Sequence, residues 1–150
     1  NWGDCDYYQT SPSNCKKGAF GPNYQNAPAH IRDGLSHTLF MAENLISAND
    51  ADYDSRGDIH NNCGSQFMTR YTPNSGVDST RCQGSTPNIP GPCISNFNNV
   101  YVSARSKHPG GVQTIFGDGS VHFIIDSIAL NVWQALGSKS SGDVVPGGGW

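Results

Sequence analysis

The chain has 150 residues, enough for one domain with one core, and it carries a net charge of −3 with a pI near 5.9. It lacks the run of Lys or Arg that binding a phosphate backbone requires, and no stretch approaches the roughly 18 apolar residues of a membrane span, so neither nucleic acid nor bilayer is an expected partner. Charged residues make up only 14%, against roughly 25% in ordinary soluble domains, and polarity is carried by 14 Asn, 17 Ser and 18 Gly.

Such a composition favours short strands joined by long connections, because Asn and Gly tolerate left-handed backbone and Asn and Ser bond nearby backbone in turns. Aromatic residues at 10% indicate a folded chain. The chain opens on Asn1 with no signal-type stretch, and it reads as the mature or truncated part of an exported protein, a single domain over 1–150. Five cysteines, at 5, 15, 63, 82 and 93, form no Cys-x-x-Cys pair and fit no zinc-finger spacing. Cys5 with Cys15 and Cys82 with Cys93 each bracket a Pro-, Asn- or Ser-rich loop, as disulfides do, though five cysteines allow other pairings. Bridges of this kind imply an oxidising compartment, and Cys63 is left as a buried thiol.

In chain order, residues 1–26 are turn-rich. Ile31 to Leu45 is the first clear element: Asp33-Gly34 signals a turn, and the run from Thr38 to Asn44 predicts a largely buried strand. Residues 49–62 form an acidic loop, and Gln66 to Tyr71 is a candidate second strand. Thr72 to Asn99 is rich in Pro, Gly, Ser and Asn and is expected to be a long surface excursion held by Cys82 and Cys93. The strongest local signal follows. Val112–Phe116 and Ser120–Ile125 flank Gly117-Asp118-Gly119 and predict a β-hairpin. Asp126-Ser127 is placed to cap a short helix in which Ile128, Val132, Trp133 and Leu136 share one face, with Gly137 as its stop.

The segment from Ser106 to Ile124 contains His108 and Asp118-Gly119 in a His-x9-Asp-Gly pattern, followed by Trp133-Gln-Ala-Leu-Gly137. Upstream, Asp33-Gly-Leu-Ser-His-Thr leads into a strand that closes on Glu43, and the chain opens Asn1-Trp-Gly. Together these resemble the large bacterial family of prepilin-like proteins with a C-terminal His-x9-Asp-Gly motif, long a domain of unknown function and also catalogued as a solute-binding family. The resemblance implies an α+β pilin-like head: an antiparallel sheet with long loops and a short C-terminal helix. It implies a cell-surface or periplasmic location, with pilus or surface-assembly components as partners. No established activity comes with it.

Several residue sets have the chemistry of a site. His108, Asp118 and the chain's one glutamate, Glu43, are suited to hold a divalent metal that activates water, which would make a metal-dependent hydrolase. The same residues equally suit a structural lock in which side chains satisfy loop backbone, and that reading is preferred. Asp50, Asp52, Asp54 and Asp58 alternate in the acidic loop and supply hard oxygen ligands for Ca²⁺, although Ser55 and Asn61 break the EF-hand pattern; the plain alternative is a solvated acidic loop. Arg56-Gly57-Asp58 spells an adhesion tripeptide that recurs by chance. His37, His60 and His122 have no spacing that points to a shared metal, and His122 is expected on the polar side of its strand. Trp2, Tyr7, Tyr8, Tyr71 and Trp150 lie in turn-rich sequence and fit either packing beneath loops or a platform for a glycan or peptide. Serine-nucleophile motifs are absent. The preferred expectation is a non-enzymatic exported domain for assembly or binding of a small solute, with a structural metal ion as an option; a hydrolase and a carbohydrate-binding module are the alternatives.

Overall fold

The hairpin predicted around Gly117-Asp118-Gly119 organises the structure. In the computed structural model, which describes residues 1–5, 14–21, 25–47, 53–61, 64–82, 91–96 and 98–143, Gly111–Phe116 (β4) pairs antiparallel with Val121–Ile125 (β5). Gly119 takes φ +86°, a left-handed turn conformation that residues with a side chain rarely adopt. On the other side of β4 lies Leu39–Ala42 (β1), also antiparallel, so the sheet order is β1-β4-β5. Between Leu39 and Met41 the register slips, which leaves Phe40 as the extra residue of a bulge.

Alternation along the strands gives the sheet two different faces. Leu39, Val112, Phe116 and Ile124 point inward and are buried. They meet Phe67, Ala104 and Ile128, together with Trp133 and Leu136 from the helix α1 (Leu130–Gly137). Each large apolar side chain taken fully from water contributes about 1.5–3 kcal/mol. Met41, Ile115, Val121, Phe123 and Ile125 point the other way and remain exposed.

The strand expected from Thr38 to Asn44 is shorter than its apolar run, four residues preceded by 3-10 turns at Pro28–His30 and Leu35–His37. Gln66 to Tyr71 is not a strand. It lies between two neighbours without a regular ladder: Trp2 N donates to Phe67 O and Thr69 N to Gly3 O on one side, and Met68 N to Val102 O on the other. The surface excursion expected over Thr72–Asn99 is overturned in part. Asp78–Thr80 (β2) is wholly buried and pairs in parallel with Cys93–Ser95 (β3). Asp78 can sit inside because arginines neutralise it, as described below. The helix begins later than expected, with Ala129 at its N-cap and no side-chain cap; Asp126 instead accepts a hydrogen bond from Asn74 Nδ2 at 2.8 Å. Gly137 does end the helix, but its value lies in close approach: a Cβ there would fall 2.1 Å from Thr69 Oγ1.

Both expected disulfides form, Cys5–Cys15 and Cys82–Cys93. Cys63 lies outside the described residues. Asn1 fastens the opening of the chain to the sheet and the helix. Its Nδ2 donates to Leu39 O and Gly137 O, and its backbone N donates to Phe40 O at 2.9 Å.

Candidate functional site: the Glu43–His108 groove

Glu43 directly follows β1 and continues its pairing, its N–H bonded to Gln113 O at 3.0 Å. The side chain then turns to two partners. Oε2 accepts the Gln113 N–H at 2.9 Å, and Oε1 lies 3.1 Å from His108 Nε2. His108 is set by its own loop, where its N–H donates to Ser106 Oγ and Ser106 N donates to Asn74 Oδ1. Arg105 N donates to Glu43 O at 3.0 Å, which holds the two chain segments side by side. Between them opens a groove of about 330 Å³ lined by residues 43–45 and 105–108.

The groove offers mixed chemistry. Glu43 is its one carboxylate, Lys107 supplies an ammonium donor, the Nε2 of His108 is taken up by Glu43, and the buried Oδ1 of Asn44 has no hydrogen-bond partner. Arg105 also borders it, but its guanidinium is committed to Asp78.

That commitment is the largest polar structure in the interior. Asp78 Oδ2 accepts from Arg56 Nη1 and Arg105 Nε, each at 2.8 Å, while Oδ1 accepts from Arg105 Nη2 and Ser103 N. Asp54 grips the other edge of Arg56, from Nη2 at 2.6 Å and Nε at 3.0 Å. The side chains of Asp54, Arg56 and Asp78 are inaccessible to solvent. Burial by itself would lower the Arg56 pKa, but hydrogen bonds and charge from Asp54 and Asp78 outweigh it and the pKa is raised. Arg56 Nη2 also reaches Gly91 O at 3.1 Å, and Arg105 Nη2 reaches Gly76 O at 3.0 Å, so the cluster ties together four stretches of chain.

The other expected residues fall as follows. Asp118 stays in the hairpin turn, where its Oδ1 accepts from the N–H and the hydroxyl of Ser120. It is separated from His108 by the length of β4, roughly 17 Å at about 3.3 Å per residue. The structure therefore joins Glu43 to His108 and leaves Asp118 apart. Glu43 and Asp118 each accept a backbone N–H, from Gln113 and Ser120, while the His108 ring bonds the Glu43 side chain. Asp50 and Asp52 lie outside the described residues, while Asp54 is occupied by Arg56 and Asp58 accepts from His60 N. Arg56 of the adhesion tripeptide is buried and cannot be presented to a receptor. His122 is exposed but packs edge-on to Phe116, with ring centroids 4.9 Å apart. Tyr71 packs edge-on against Tyr101, which also carries Arg70 4.6 Å above its ring, so Tyr71 packs rather than forming a platform; Tyr7, Tyr8 and Trp150 are outside the described residues. Among the described residues, the one cluster of three metal-ligating side chains is Asp4, Cys5 and Cys15, and its two sulfurs are spent on a disulfide.

Residues 4–131 match a protein-family model described as "Protein of unknown function (DUF1559)", with the short label SBP_bac_10. The chain belongs to that family. The match takes in the groove, the hairpin and both disulfides of this DUF1559 chain, and the label catalogues the family as solute-binding. No curated protein and no solved structure matches it. Sequence reasoning found Glu43 and His108 through the motif. It missed Asn44, Lys107 and the Asp78–Arg56–Arg105 cluster, whose members stand far apart in sequence with no shared period.

Proposed function

We propose that this DUF1559 chain is the soluble head of an exported, prepilin-like protein and that it binds a small polar solute in the Glu43–His108 groove. The observation that carries the reading is the groove itself. It is a concave site at the lower end of the size range of small-molecule pockets, and donors and acceptors converge in it on a fixed backbone. Glu43 brings a carboxylate acceptor and Lys107 an ammonium donor, with the His108 ring beside them, and the solute class that fits carries both a hydrogen-bond donor and an acceptor or anionic group. The two disulfides and the family's solute-binding label support a location outside the reducing cytoplasm. A role in surface assembly, with pilus components as partners, rests on the His108…Asp118-Gly119 motif alone.

The test is a thermal-shift screen of amino acids, sugars, sugar acids and short peptides, followed by calorimetry on any hit. A ligand at about 100 times its Kd stabilises by about 2.7 kcal/mol, well within detection. A hit is expected to be lost in Lys107→Ala and His108→Ala while both variants keep the unliganded melting temperature within a few degrees. A hit that survives both substitutions, or a screen with no hit at all, counts against the groove.

A further inference from the structure

The two edges of the sheet are treated differently. The edge of β1 is covered by Asn1, which bonds Leu39 O and Phe40 O. No described residue covers β5. The phase of its ladder follows from two bonds: Phe116 N donates to Ser120 O and Asp126 N donates to Gly110 O. Residues 120, 122, 124 and 126 therefore bond toward β4, and the backbone N–H and C=O of Val121, Phe123 and Ile125 point away from the sheet. The side chains of these same three residues lie on the outer face, at 62%, 39% and 41% exposure, beside Ile115 and Met41. A bare strand edge and a contiguous apolar face thus coincide in one five-residue strand. Such edges are normally blunted by Lys, Pro, a bulge or a covering segment; β5 has no Lys, Pro or bulge, and no segment among the described residues lies along it.

We propose that β5 is a homotypic interface, in which two copies of the chain pair antiparallel across a two-fold axis at Phe123. The strand is self-complementary in that register. Phe123 meets its own counterpart, Val121 meets Ile125 of the second copy, and Ile125 meets Val121, so each pairing on the outer face is apolar. The outward backbone groups then exchange about six hydrogen bonds, with Ile125 O shared with Ile128 N of its own chain. No like charges oppose: Asp126 faces Ser120, and His122 faces Ile124. Two three-stranded sheets become one of six. A seam of this length buries less than the roughly 800 Å² per partner of a standard interface, so the dimer is reversible and concentration-dependent.

Sedimentation velocity on the intact chain, from micromolar to near-millimolar concentration, tests this. A monomer–dimer equilibrium is expected, weakened at least about tenfold by Val121→Lys, whose side chain is mostly in water in the monomer. Phe123→Pro removes an outward N–H without touching the ladder to β4 and is expected to weaken it likewise. Met41→Lys, on the same face but away from the seam, is expected to leave it unchanged. Near-UV circular dichroism from Trp133 reports whether each variant keeps its fold. A chain that remains monomeric throughout overturns the proposal, as does a dimer indifferent to Val121→Lys.

Discussion

Asp78 holds Arg105 by two parallel hydrogen bonds, Nε to Oδ2 at 2.8 Å and Nη2 to Oδ1 at 3.0 Å, where water does not reach. With Arg56 and Ser103 N also donating, the carboxylate's acceptor sites are filled. Removing the anion leaves two buried guanidinium groups short of a partner. Asp78→Ala is expected to cost about 3–5 kcal/mol in urea unfolding. Asp78→Leu is expected to be no better, since the arginines and not the volume set the loss.

The Cys82–Cys93 bridge, spanning a sequence separation of 11, acts on the same cluster, because Gly91 O accepts from Arg56 inside the loop it closes. Replacing both cysteines by Ala is expected to cost about 2–4 kcal/mol from loop closure, and more if the Gly91 contact goes with it. A double-mutant cycle of this change with Arg56→Lys, in chemical melts, measures the coupling.

Gln66 is buried, yet neither its Oε1 nor its Nε2 has a hydrogen-bond partner. Two unsatisfied polar atoms each cost about 1–3 kcal/mol, and an apolar side chain of similar shape avoids both penalties. Gln66→Met is therefore expected to raise the melting temperature. A drop of more than a few degrees would show that the amide is satisfied in solution.

Gly137 lies so close to Thr69 that Gly137→Ala is expected to destabilise by about 1–3 kcal/mol through overpacking. Thr69→Ala removes the two nearest atoms, Oγ1 and Cγ2, and is expected to recover part of that loss in the double variant.

The hairpin turn responds to acid. The Ser120 hydroxyl and N–H hold the Asp118 carboxyl below its usual 3.8. A carboxyl with a depressed folded-state pKa favours the fold above the unfolded value, and that contribution fades as pH falls below about 3.8 toward the folded value. Carbon-detected NMR titration is expected to give an Asp118 midpoint below 3.8, and Ser120→Ala is expected to return it toward that value. Asp143, held down by Lys16 and Ser141, is expected to behave alike.

The hairpin and the short helix were legible because each is local: alternation and a Gly/Asp turn mark the first, and helical spacing around Trp133 marks the second. The two disulfides were legible from spacing. Glu43 and His108 are legible from the motif, which sets Asp118 beside them although β4 holds the motif's two ends apart. Burial of Asp78 and Arg56 was not legible. Local composition around both is that of a surface loop, and only a partner some 22 residues away in sequence, or 27 for Arg105, makes their burial tolerable. Edge exposure on β5 was equally hidden, since the same alternation describes a covered and an uncovered strand.

The bulge at Phe40 turns one carbonyl out of the ladder and gives Asn1 a place to attach, so among the described residues the sheet keeps a single open rim. Pairing through one rim is finite: once two copies have met, neither offers another strand, and growth into a ribbon is blocked. A chain without the Asn1 clasp would have two such rims and could add copies end to end without limit.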